Sequence, residues 1–424
     1  MLCACCACAH EPVRLPDGEP LVCIYYFGHW WEPWRTSDQA VADDLQMLRG
    51  MGVNTVCLDH EWSQAIAGDW RWLDREHRLA KQAGMGIIPW LSLKSFGDVA
   101  LPERLALAEQ WYGTRIPVSE DQSGERAGVL IYDQQTIRFG ASYALDYLER
   151  YRDETLLHLR WGEGTARPVI CLGVETAWRG GFDERTNRRF RSYLRQRYGT
   201  VEALNDVWGT DYGAFDAIDP RDTRIFDYEG APNGNAEHPV AVEDHVEFRA
   251  RMISVGLGAM ARRVRQQHPE VLVLAEIPYQ YGSEHPHARA YRITYGANPS
   301  ANGYADIVLF RCTGPLNAAE IEALKQARER TGQRFILTYR TYSDWDIPAG
   351  TDEFDRAVRT YARQAAALAG GFGLYSWNEM VDTHVAYAPD PPRENGWTQE
   401  RAERATGLLA AMVERYRGLV GEGQ

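Results

Sequence analysis

Several things are missing from this chain of 424 residues, and each absence removes a class of function. No run of 18 apolar residues occurs, so nothing predicts a membrane-spanning helix. Positive charge is in deficit: Asp and Glu number 59 against 46 Lys and Arg, and a net charge of −13 offers no surface for a phosphate backbone. A nucleic-acid partner is therefore not expected, and a neutral substrate suits the balance. No Gly-rich phosphate loop follows the first apolar run, which removes the usual argument for a doubly wound nucleotide-binding sheet. There is no G-x-S-x-G elbow and no Cys/His nucleophile signature. His29, Asp59, His60 and Glu61 fall on two separate segments without H-E-x-x-H spacing, so no metal site is read from them and no cofactor is expected. An internal repeat is also absent.

Cysteine is scarce except at one end. Four of the eight stand in the first eight residues, "MLCACCACAH", and the other four, Cys23, Cys57, Cys171 and Cys312, fall singly in apolar runs, where they read as small buried hydrophobes. The cluster matches no zinc spacing with His10 and reads better as the remnant of an export or lipoprotein signal. On that reading the protein is exported or lipid-anchored; otherwise it is cytoplasmic. Residues 1–19 are assigned to this tail and 20–420 to a single domain. Nothing in the sequence sets an oligomeric state.

What is present is a repeated alternation of apolar runs and amphipathic helices. The runs are "PLVCIYYFG" (20–28), "VNTVCLDHEW" (53–62), "GIIPWLSL" (86–93), "PVICLGVE" (168–175), "VLVLAEIP" (271–278), "ADIVLFRC" (305–312), "RFILTYR" (334–340) and "GFGLYSWNE" (371–379). They are short, nearly all apolar and rich in β-branched residues, as strands covered on both faces must be. Segments such as "SDQAVADDLQMLRGMG" and "LNAAEIEALKQARERTG" open on Ser, Asp or Asn caps and close on Gly, which marks helices. Eight strands with helices between them predict an α/β fold, the (β/α)8 TIM barrel. Long insertions follow strand three (94–167, with an extra strand at "GVLIYD" and a helix around 141–161) and strand four (176–270).

The polar residues that end these strands converge on the C-terminal mouth of such a barrel. Strand four ends in Glu175, strand five in Glu276, strand six in Arg311, and strand eight in Trp377, Asn378 and Glu379. A single such carboxylate is ordinarily a helix cap or half of an ion pair, but several in one mouth beside aromatic faces describe a glycoside-hydrolysing cleft. That chemistry needs one protonated carboxyl group to release the leaving oxygen and one ionised group to attack or to activate water. Glu175, beside the apolar Trp178, is the candidate acid/base, with Glu276 and Glu379 as level candidates for the second group. The 14 Trp and 22 Tyr suit sugar rings or a large core. Candidate aromatic contacts are Tyr26, Trp30, Trp31, Trp90, Trp178, Tyr279, Tyr339, Tyr342, Trp345 and Trp377; candidate polar ones are His60, Glu61, Arg311, Arg340, Asp346 and Asn378. Arg311 and Arg340 either grip an acidic sugar or pair with Asp346 or Glu276.

The segment "FRSYLRQRYGTVEALNDVWGTDYGAFDAI" (190–218) resembles the stretch after strand four in family 42 β-galactosidases and related clan A glycoside hydrolases. The resemblance implies a barrel, a glycosidase and an acid/base at Glu175, although the usual Asn-Glu pair is here Val174-Glu175. "YSWNEMVDTHVAYAP" (375–389) and "IYYFGHWW" near strand one are similar to family 99 glycosidases, which implies a sugar site at Trp377, Asn378 and Glu379. Clan A retaining enzymes carry a nucleophilic glutamate on strand seven, where "RFILTYRTYSDWD" has Tyr339 or Arg340. Glu276 or Glu379, Asp344 or Asp346, or an activated Tyr339 would have to replace it. The expectation is a hydrolase acting on an oligosaccharide or polysaccharide. The alternative is a carbohydrate-binding barrel that has lost its strand-seven nucleophile.

Overall fold

A ring of strands, each hydrogen-bonded to the next, is the framework of the chain. In the computed structural model the described residues are 13–26, 37–60, 68–91, 115–152, 155–161, 165–173, 180–226, 237–277, 302–312, 314–339, 347–368, 370–377 and 399–421, with residues 106, 109, 110, 113 and 178. The Cys-rich start lies outside them. The elements run β1 (Val22–Tyr26), α1 (Asp38–Gly50), β2 (Thr55–His60), α2 (Arg71–Gln82), β3 (Gly86–Leu91), a hairpin of β4 (Val118–Glu120) and β5 (Arg126–Val129), α3 (Gln134–Tyr151), β6 (His158–Arg160) and β7 (Ala166–Gly173). There follow α4 (Glu184–Tyr198), α5 (Val201–Trp208), α6 (Pro239–Gln267), β8 (Leu272–Ile277), β9 (Ile307–Cys312), α7 (Ala318–Thr331), β10 (Arg334–Tyr339), α8 (Asp352–Leu368), β11 (Phe372–Leu374) and α9 (Gln399–Gly421).

Strands β3-β2-β1-β11-β10-β9-β8-β7 are successive parallel neighbours, and β3 pairs with β7 through Trp90 and Cys171, which closes the ring. This is the expected (β/α)8 barrel, and its eight strands are the eight apolar runs. The excursion after β3 differs from expectation. "GVLIYD" contributes only to one arm of the β4–β5 hairpin, and the helix expected around 141–161 stops at Tyr151. His158–Arg160 instead pairs antiparallel with β7. Leu157 and Leu159, two apart, both enter the barrel's inner cluster, and over so short a run period two cannot be told from period 3.6.

Alternation along each strand divides the core into two layers. Cys23, Tyr25, Cys57, Ile88, Trp90, Val169, Cys171, Leu272, Leu274, Ile307, Leu309, Ile336 and Tyr375 form the inner cluster, which Val13 also joins. The intervening residues, among them Val22, Ile24, Tyr26, Val56, Leu58, Phe310, Leu337, Tyr339 and Leu374, pack outward against the helices. The four cysteines of the strands are all free and buried, as expected. Among the described residues no helix is long and apolar enough to cross a membrane.

The 190–218 motif is scaffold, and its residue types follow from the turns it makes. Asp183 caps α4 by accepting from the Thr186 amide, and Thr200 caps α5 by accepting from that of Ala203. Gly209 ends α5 in the left-handed conformation that a side chain disfavours. Asn205 ties the next turn, accepting from Thr210 Oγ1 at 2.8 Å and Tyr212 N at 3.0 Å and donating to Tyr212 O at 2.9 Å. Trp208 Nε1 and Tyr198 OH both donate to Asp244 on α6, at 2.9 and 2.5 Å, and Arg197 lies 3.2 Å from the same carboxylate. Desolvation nevertheless raises the pKa of Asp244.

A buried histidine outside the barrel makes stability depend on pH. His77 on α2 is 2% exposed, stacks on Tyr151 of α3 at 3.7 Å, and bonds Thr155 Oγ1 and Tyr147 OH. Burial is the main cause that pushes its pKa down from 6.5 to about 3; Asp74 opposes the shift and Arg150 adds to it. The folded state therefore refuses a proton that the unfolded state accepts below pH 6.5, so stability falls as pH drops. Between pH 7 and pH 5 this single group removes about 2 kcal/mol. Urea titrations should show a smaller acid loss in His77→Gln by about that amount; parallel pH profiles for the two proteins would refute the assignment.

Candidate active site

Two of the candidate side chains, Glu276 and Arg311, meet inside the barrel toward the C-terminal ends of the strands, and a third, Trp90, joins them through Tyr25. Glu276, next to last in β8, is fully buried, and its Oε1 lies 2.7 Å from Arg311 Nη2 on β9. The two strands pair Glu276 with Leu309, so Arg311, two places farther along, shares its face. Tyr25 OH donates to the same Oε1 at 3.3 Å. Burial first, and the charge of Glu276 second, hold the Tyr25 hydroxyl well above its usual pKa, so it stays a neutral donor.

Arg311 is held between two rings, with its guanidinium carbon 4.1 Å from the centroid of Tyr375 and 5.3 Å from that of Tyr25. Trp90 meets Tyr25 edge-on at 4.3 Å, and Tyr375 does so at 4.7 Å. The result is a buried floor that contains the Glu276–Arg311 ion pair. Arg311 makes the pairing with Glu276 that was one of the two roles foreseen for it. Its guanidinium is 1% exposed, and a sugar carboxylate would have to compete with a partner already in place.

Four candidates point elsewhere. Tyr26 and Tyr339 have the opposite parity to Tyr25 and Thr338 and face the helices: Tyr26 OH donates to Asp44 on α1 at 2.9 Å, and Tyr339 OH to Gln364 on α8 at 3.3 Å. Burial raises the Tyr339 pKa further, which removes it as an attacking phenolate. Trp377 is 1% exposed in the same outer layer. Trp178 is drawn into the core beneath the β4–β5 hairpin, fully buried, with its indole N–H donating to Val129 O at 2.9 Å. None of the four offers a face to a sugar.

The remaining candidates, Glu175, Glu379, Trp30, Trp31, Glu61, Tyr279, Arg340, Tyr342, Asp344, Trp345, Asp346 and Asn378, lie outside the described residues, as does the side chain of His60. Sequence reasoning missed Tyr25 and Tyr375. Tyr25 cannot be told from its outward neighbour Tyr26 by residue type, and the polar Glu276 and Arg311, which cannot face an apolar helix layer, give a parity signal on other strands.

A separate cavity of about 780 Å³ lies beside the β4–β5 hairpin, lined by Arg115, Glu120, Arg126, Asp133 and Arg185 among others. Its charges are mixed, with Arg185 and Asp133 paired at 2.6 Å and Glu120 opposite Arg126 in the hairpin register, so it presents no field of one sign. No group of three or more His, Cys, Asp and Glu able to hold a metal occurs among the described residues.

Comparison with known proteins agrees with this fold. Residues 169–287 match the model of the glycoside hydrolase family 42, beta-galactosidase, a span that contains the 190–218 motif as well as Glu175 and Glu276. The beta-galactosidase BgaA of a Thermus species is 28% identical over 206 residues, which are 44% of this chain and 27% of that protein. The chain thus aligns with about a quarter of the length of that relative. Among solved structures, the cold-adapted beta-galactosidase of Rahnella sp. R3 superposes with a TM-score of 0.57 at 13% identity, over 97% of this chain and 58% of that one. The catalytic domain of a beta-amylase from Paenibacillus polymyxa gives 0.54 at 16% identity, over 85% of this chain and 93% of that one. The expected resemblance to family 42 after strand four holds. That to family 99 falls on 375–389, of which only the first three residues are described.

Proposed function

We propose that this chain is a glycoside hydrolase that cleaves its substrate with a pair of carboxyl groups and no cofactor, Glu175 serving as general acid/base. The observation that carries this reading is the family 42 match across 169–287, which takes in the ends of two adjacent barrel strands. Their register sets Gly173 beside Ala275, so Glu175 follows one partner by two residues and Glu276 follows the other by one. This nearness in the chain to two adjacent strand ends supports a site at the end of the barrel where enzymes of this fold act.

The roles divide by environment. Glu276 is fully buried and answered by Arg311 and Tyr25, so its charge is fixed in place and no oxygen faces out to reach an anomeric carbon. It holds the floor of the site. Glu379, which follows β11 by five residues in the chain, is then the second catalytic carboxylate. Glu175 gives its proton to the leaving oxygen while Glu379, ionised, attacks the anomeric carbon or takes a proton from water, according to the distance between them.

The substrate is an oligosaccharide or polysaccharide, and the beta-galactosidases among the relatives put terminal β-galactose first in the panel. Wild-type protein should release phenolate from an aryl glycoside of at least one sugar in a broad panel. If calorimetry shows sugar binding and no sugar gives turnover, the barrel is a carbohydrate binder and the proposal fails.

A further inference from the structure

Trp178, Gly180, Gly181 and Phe182, which follow β7 in the chain, are gripped from two sides, although nothing in the chemistry so far uses the grip. From one side comes Arg249 of α6, which is fully buried. Its guanidinium donates to the main-chain oxygens of Trp178 and of Gly180, the latter at 3.2 Å, and lies 5.2 Å from the centroid of the Phe182 ring. From the other side comes the β4–β5 hairpin. Ser119 Oγ accepts from Gly181 N at 2.9 Å and donates to Asp183 at 2.8 Å, while the carbonyls of Val129 and Glu120 accept from Trp178 Nε1 at 2.9 Å and Phe182 N at 3.1 Å.

The two glycines between them are required by this closeness. A Cβ on Gly180 would stand 2.5 Å from Ser119 Oγ, and Gly181 has φ of +113°, which side chains rarely adopt. A buried guanidinium is costly to desolvate, and here two of its donors are spent on carbonyls of one short stretch of main chain rather than on a surface partner. Such bonds hold a backbone in one place. The stretch begins three residues after Glu175.

We infer that Arg249 is a positioning residue for hydrolysis: it fixes the main chain just beyond Glu175 and so sets where the acid delivers its proton. The inference rests on Glu175 being that acid. A misplaced acid harms substrates in proportion to their need for protonation, because a good leaving group departs without help while a poor one does not. Loosening of the fold in general would slow both alike.

The test compares an unactivated aryl glycoside with the 2,4-dinitrophenyl glycoside of the same sugar, using full-length wild type, Arg249→Lys, Ser119→Ala and Glu175→Gln. Lysine keeps the charge but cannot span two carbonyls with a planar fork. Arg249→Lys should lower kcat/KM on the unactivated substrate by about a hundredfold and leave kcat/KM on the dinitrophenyl glycoside within about threefold, since kcat/KM reads the step in which the leaving group departs. Ser119→Ala, which cuts the opposite side of the grip, should give the same pattern at about tenfold, and it carries the test if Arg249→Lys does not fold. Equal losses on both substrates, or none, overturn the inference provided Glu175→Gln shows the leaving-group split. If Glu175→Gln itself shows no split, the assignment of the acid has failed, and the inference about Arg249 falls with it.

Discussion

Glu175→Gln should lower kcat on an unactivated aryl glycoside by about 10²–10⁴-fold, the usual range for loss of a general acid. Gln keeps the size and polarity of the side chain but has no proton of the right acidity to give. Sugar affinity should therefore persist, and a dinitrophenyl leaving group should recover most of the first step, since its phenolate needs no protonation. Glu379→Gln should behave differently. If Glu379 attacks or activates water, its loss is felt whatever the leaving group, and both substrates slow together. The pair of profiles assigns the two roles independently of any structure. Full activity in Glu175→Gln on the unactivated substrate would remove the acid, and with it the reading of the whole site.

The second large effect concerns stability. Arg311→Met should cost about 3–5 kcal/mol, because it leaves Glu276 ionised and fully buried without its 2.7 Å partner. The tyrosine hydroxyl at 3.3 Å cannot replace a full charge. Glu276→Met should cost a similar amount by stranding the guanidinium, although the rings of Tyr25 and Tyr375 at 5.3 and 4.1 Å soften the loss. Removing both charges together should be far milder than the sum, since two apolar side chains of like volume carry no desolvation penalty. Urea midpoints for the two single variants and the double variant form the cycle. Additive losses would mean that the two side chains are not coupled in solution, and the floor of the site would need another account.

If Glu276 only holds the floor, the double variant should also separate stability from chemistry: it folds, binds sugar and turns over slowly, while Glu379→Gln folds normally and does not turn over. That contrast follows from burial. A carboxylate with no exposed surface and two donors on one oxygen is suited to fixing an arginine, and an attacking group needs an oxygen open to the substrate.

Much of the architecture could be read in the residues. Eight apolar runs bounded by polar caps and glycines gave the eight strands in order, and the Asn317 cap with Gly332 at the other end marked α7 almost to the residue. The segment 190–218 was legible through its resemblance to family 42, and the structure shows that residues such as Asn205 and Gly209 answer to local hydrogen bonding there. Local rules serve well where the interaction is itself local.

The strand-end acids were likewise visible, since a charge closing an apolar run announces itself. What the chain order could not disclose was which of two adjacent side chains faces the barrel axis. Tyr25 and Tyr26 are the same residue one step apart, yet one donates to Glu276 and the other to Asp44. Closure of the ring makes that choice, through the register of each strand with neighbours remote in sequence. The same closure spends Arg311 on Glu276, and the hairpin from another excursion buries Trp178. Composition and periodicity determined that there would be a barrel with acidic strand ends; only the packed structure decided which of those side chains meet, because contact across a barrel depends on parity and register, which residue identity does not encode.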